Sequence, residues 1–165
     1  MIRAVLTRPV FADLGLLLLR VLTGALLIHH GYEKLANIEN FADAFVRPLH
    51  LPFPIVLSYV AAFSEVIGSW LLITGLLTRV GAAAIAGTIT VAIYHAIVTA
   101  GFNIYLLELL GLYLAAASTV LACGPGLFSI DELIARLVEP NLEINSSKES
   151  LEEPAVALTE AAATR

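Results

Sequence analysis

Arg20, Glu65, His95 and Glu108 each stand alone inside a long apolar run: LGLLLLRVLTGALLI, VAAFSEVIGSWLLI, TVAIYHAIV and IYLLELLGLYLAAA. A charge in hydrocarbon costs a few kcal/mol or more, so such residues face a bundle interior and take partners. For Arg20 and Glu65 the chemistry open to the pair is threefold. They can form an ion pair that fixes helix register, contact a polar substrate or a quinone head group, or pass a proton. His95 alone reads as a hydrogen-bonded core histidine. Beside Glu108 it becomes a proton-handling pair, since imidazole titrates near neutral pH. A second set, His29, His30, Glu33 and Lys34, follows the first run in HHGYEKL, and reads either as an interfacial polar cap or as an outer-side cluster.

Other chemistries find little support. A metal held by His29, His30, Glu33 and His95 lacks a histidine pair at helical i,i+4 spacing, and no metal is expected. Haem needs axial ligands inside the bundle; only His95 is well placed, and there is no CxxCH motif. Cys123 is the only cysteine, which excludes an intrachain disulfide, a Cys-based zinc site and an iron–sulfur cluster. It is expected to pack near a helix end. Basic residues nowhere cluster, so nucleic acid is not an expected partner.

The elements that must position these residues are membrane helices. The 165 residues are 59% hydrophobic and 14% charged, against about 25% charged in soluble domains. No formal charge falls in the 28 residues between Arg79 and Glu108, or in the 22 between Glu108 and Asp131. A span needs roughly 20 apolar residues. The expected fold is all-α: an integral membrane four-helix antiparallel bundle with spans at about 11–30, 55–77, 80–100 and 104–123. Arg20 splits the first run and no small-residue cleavage site follows it, so this run reads as a retained helix and not a signal peptide.

Gly31 is the expected stop of the first span. Short interfacial helices are expected at about 40–50 and 129–138, the first on Phe41, Ala44, Phe45 and Leu49, the second on Ile130, Leu133, Ile134 and Leu137 with Ser129 as its N-cap. Residues 1–10 read as a cytoplasmic N-terminal segment. The acidic stretch 139–165, with six acidic and two basic residues, reads as disordered. Ala83 with Gly87, and Gly111 with Ala115, are small-xxx-small pairs that allow close helix approach, and the third span reads as the central one. Arg3, Arg8, Arg79 and Arg136 flank one side against Lys34 and Arg47 on the other, which places both termini in the cytoplasm.

Counting rise along each helix puts Arg20, Glu65 and Tyr113 in one mid-membrane layer. His95 and Glu108 fall in a second, nearer the outer side. The candidate buried polar site is therefore Arg20, Glu65, His95, Glu108 and Tyr113; no catalytic residue is assigned.

The arginine inside the first span followed by HHGYEKL resembles a signature of DoxX-like membrane proteins. LPFP before the second span, AAFSEVIGSWLLITGLLTRVGA across the next turn, and CGPGLFSID near the end are similar in kind. The resemblance covers about Leu14 to Leu137, with Arg20, Gly31, Lys34, Glu65 and Arg79 at the matching positions. It implies a four-helix integral protein of the cell (plasma or inner) membrane, in a family with some members associated with quinone-linked oxidoreductases. On that reading the chain is a redox-linked accessory subunit with no intrinsic cofactor. A quinone is its candidate cofactor, and the lipid bilayer, a redox protein and a second copy of itself are its candidate partners. The alternative is a non-catalytic assembly or transport-like protein whose buried charges serve packing.

Overall fold

The computed structural model describes residues 9–138; the expected cytoplasmic segment falls almost wholly, and the acidic tail wholly, outside the described residues. Four long helices dominate: α1 (Pro9–Ala36), α3 (Pro54–Thr74), α4 (Thr78–Ala100) and α5 (Ile104–Cys123), each long and apolar enough to cross a membrane. Between α1 and α3 the chain makes a short α2 (Ile38–Phe41), a π-helical turn (Ala42–Val46) and a 3-10 turn (Arg47–Leu49). A final helix, α6, covers residues 130–138. Its part from Glu132 onward forms a separate unit, within which Arg136 pairs with Glu132 at 2.9 Å.

The bundle is antiparallel, and its tightest seam joins α1 to α3. A Cβ on Gly24 would lie 2.8 Å from the Ser69 carbonyl oxygen, and one on Gly31 would lie 2.6 Å from Val66 Cγ2 and 3.1 Å from the Ala62 carbonyl. Only glycine allows that approach. Gly31 is thus a seam residue inside α1 and not its stop: the helix runs five residues further, to Ala36. The α3–α4 seam is built likewise, each of Gly68 and Gly81 facing the other's carbonyl at 3.1 and 3.0 Å from an added Cβ.

The expected small-residue seams are not the ones used. Gly87 and Gly111 have nothing within 4 Å of a Cβ position. Nor is α4 the most central helix. A third of the most apolar stretch of α3 is buried (33%), against 28% for α4 and 11% for α5. α3 packs on both α1 and α4, whereas α5 leans chiefly on α4. The core between them is Leu27, Leu72, Ala82, Ile85, Ile89, Ala117 and Val120.

The outer faces are apolar. Leu14, Leu18, Leu22 and Leu26 repeat every four residues along an exposed stripe of α1, a face that water would penalise and lipid does not. Several hydroxyls on these helices are satisfied internally: Thr74, Thr90, Thr99 and Thr119 each donate to the carbonyl four residues back, as polar groups in hydrocarbon require. Cys123 ends α5 and is exposed. It does not pack there as expected, because the chain leaves the helix at Gly124 (φ +86°).

Candidate functional site: a polar-walled cavity and a separate arginine latch

Arg20 and Glu65 do not meet. The longer α1 explains why: Gly31 packs between Ala62 and Val66, beside Glu65, and Arg20 lies 11 residues before Gly31, next to Gly75, a depth difference of about 15 Å at 1.5 Å per residue. Gly24, one turn above Arg20, already sits level with Ser69 and Ile73. Each charge therefore finds a different partner.

Arg20 is fully buried. Its Nη2 donates to the Phe128 carbonyl at 2.7 Å, and Nη1 lies so close to Gly75 that a Cβ there would be 2.2 Å away. Around it, segment 124–131 folds back onto the bundle. The Leu127 N–H donates to Asp13 Oδ1 at 3.0 Å and the Asp131 N–H to the Gly75 carbonyl at 2.9 Å. The Asp131 carboxylate accepts from the Leu77 N–H (2.7 Å), the Thr78 N–H (2.9 Å) and the Thr78 hydroxyl (2.8 Å).

Asp131 so caps α4 from 53 residues away, where the local residue Leu77 (φ +46°) offers no side-chain acceptor. Burial works against its charge. The Thr78 and Leu77 hydrogen bonds and the Arg20 charge outweigh that and hold its carboxyl below the usual carboxylate range. Arg79 lies alongside Gly124 at the same end, 3.4 Å from a Cβ position to Nη2. The TGLLTR and CGPGLFSID motifs are the two halves of this latch.

Toward the other end lies a cavity of about 1010 Å³, at the upper end of the range of roughly 300–1,000 Å³ for small-molecule sites. Glu65 and Lys34 share its wall, hydrogen-bonded to one another through Glu65 Oε1. Lys34 reaches Glu65 because α1 continues past Gly31, which carries Lys34 onto the face that Leu27 and Gly31 present to α3. Its Nζ also stands 5.0 Å from the centre of the Phe41 ring. Glu65 is 3% exposed, and its Oε2 is buried with no hydrogen-bond partner.

Ala83, Ala84 and Gly87 form the α4 wall; their small side chains leave the space open. The connecting segment covers the cavity with Phe41, Ala44, Phe45 and Leu49, the residues expected to form an amphipathic helix. α5 contributes Leu106, Leu109, Leu110 and Tyr113.

The candidate residues thus regroup. Glu65, His95 and Tyr113 share this cavity with His30, Glu33 and Lys34, so the two expected layers merge into one site on this side. Arg20 stands apart in the latch. His95 does not pair with Glu108: its Nε2 lies 3.2 Å from the Ala44 carbonyl and its ring 5.1 Å from Phe45. Glu108 is exposed on α5, outside the cavity lining. His29 is exposed and stacks on His30 at 4.0 Å, and His30 Nδ1 faces Glu33 at 3.5 Å. Among the described residues no group of three or more His, Cys, Asp or Glu side chains is placed to hold a metal.

The DoxX family profile matches residues 15–100, from α1 through the end of α4, and the chain belongs to that family of integral membrane proteins. A Bacillus subtilis (strain 168) protein named "Putative oxidoreductase CatD" is 34% identical over 122 residues, covering 70% of this chain and 89% of that protein. No solved structure matches the chain.

Proposed function

We propose that the chain is a redox-linked accessory subunit of the cell membrane, both termini cytoplasmic, whose cavity binds a quinone from the lipid pool for an oxidoreductase partner. One observation carries the reading: a part-buried ion pair, Lys34–Glu65, forms part of the wall of a large and otherwise chiefly apolar cavity within a membrane bundle. Apolar walls from Phe45, Leu109 and Leu110 suit a ring and its isoprenoid tail, while Lys34 and Glu65 suit a polar head. The oxidoreductase name of the Bacillus relative is consistent with it.

A quinone supplies two-electron, two-proton chemistry when bound, and the partner carries the electrons. The chain's own part is to hold and orient the ring, exclude water with the connecting segment, and offer Glu65 as a proton acceptor. The packing-only reading is kept for Arg20, whose Nη2 donates to the Phe128 carbonyl while its Nε and Nη1 are buried without a partner.

Titrating decylubiquinone into the protein in lipid nanodiscs tests this. Saturable binding is expected, weakened at least tenfold by Gly87→Phe, whose ring would occupy the open space beside Gly87. No saturable binding to the wild type, or binding that Gly87→Phe leaves unchanged, would reject it.

A further inference from the structure

The cavity wall carries donors on Asn37, Asn40, Ser64 and Tyr113, yet one buried acceptor of Glu65 is paired with none of them. Glu65 Oε1 is engaged by Lys34, and Oε2 is a buried acceptor without a donor. Such an atom is costly to leave unpaired, and in a native fold it calls for a missing partner. His95 also lines the cavity, and since a carbonyl can only accept, the Nε2 beside the Ala44 oxygen carries a hydrogen. Lys34 is the one purely donating side chain of this group, and it is already committed to Glu65 and to the face of Phe41.

We propose that this site discriminates between redox forms, holding the reduced, hydroxyl-bearing ring in preference to the oxidised one, with Glu65 Oε2 accepting the ring hydroxyl. The inference rests on the quinone reading above. An oxidised ring brings carbonyl oxygens alone, and opposite Oε2 it would set one lone pair against another. A reduced ring brings O–H groups, which satisfy the orphaned acceptor. Oε2 is covered, but the terminal torsion of a glutamate is broad and roughly two-fold. A small rotation therefore turns the oxygen toward an incoming hydroxyl without breaking the α1–α3 seam. Sites that hydrogen-bond a substrate hydroxyl discriminate strongly against analogues lacking it, because their own polar group is then stranded.

The test compares decylubiquinol with decylubiquinone, anaerobically, on the same nanodisc preparation. Wild type should bind the reduced form about tenfold more tightly, which raises the midpoint potential of the bound couple by about 30 mV. Glu65→Gln should abolish or reverse the preference: Lys34 keeps its bond to the amide oxygen, which leaves an NH2 donor where Oε2 was. Equal affinities in wild type, or tighter binding of the oxidised form, overturn the inference while leaving the quinone reading intact. Failure of both forms to bind overturns both. The wild-type ratio alone decides the question should Glu65→Gln not fold.

Discussion

Lys34 and Glu65 form the costliest pair in the site, since both charges leave water for a bundle interior. Removing one partner strands the other. Lys34→Met should destabilise the protein by about 3–5 kcal/mol, whereas Lys34→Met with Glu65→Leu should recover most of that loss, as for other buried pairs. Thermal unfolding of the singles and the double in one detergent measures the coupling, and additive losses would show that the two side chains do not depend on one another. Asp131 makes a different prediction. Its carboxyl is held below the usual range, so its stabilising contribution is fully present above the ordinary aspartate pKa and is lost as pH falls through the depressed one. The thermal midpoint of the wild type should therefore fall more steeply than that of Asp131→Asn as pH drops from neutral toward about 3. Parallel slopes would mean that the carboxylate does not cap α4.

Helices here are set by where glycine sits, and glycine was the hardest residue to read. The four spans, their antiparallel order and the helical connecting segment were legible, because roughly 20-residue apolar runs separated by Gly, Pro and Asn leave few alternatives. The role of each glycine was not. Gly31 resembles a helix stop, and Gly87 resembles a packing notch, yet Gly31 is the notch, against Val66 and Ala62, and Gly87 faces open space within α4. Sequence spacing cannot say which face of a lipid-exposed helix meets a neighbour when apolar residues cover every side. Ending α1 at Gly31 shifts Arg20 along the bundle and sets it level with Glu65. The clue that would have corrected it is Lys34, a charge on the same helical face as Leu27 and Gly31. Gly31→Ala should cost about 1–3 kcal/mol through overpacking. Gly87→Ala and Gly111→Ala should be neutral or gain about 0.5–1 kcal/mol, and equal losses at all three sites would contradict these seams.

In the whole molecule the two ends of the bundle divide the labour. At one end Arg20, Asp13 and Asp131 tie the α3–α4 turn and the segment after α5 to α1. At the other, a thinly packed α5 and a row of small residues on α4 leave a cavity that Lys34 and Glu65 polarise. On the proposed reading, stability and ligand binding fall to different charges, although the sequence presents them alike, as interruptions of apolar helices. The most direct measurement of this division is photolabelling with an azido-quinone in nanodiscs, with sites of attachment mapped by peptide mass spectrometry. Labels are expected on the segment from Phe41 to Leu49, on α4 between Gly87 and His95, and near Tyr113, all of it displaced by excess decylubiquinone. Labelling confined to the lipid-facing stripe of α1 or to the Arg20 latch, or labelling that competitor does not displace, would contradict the account.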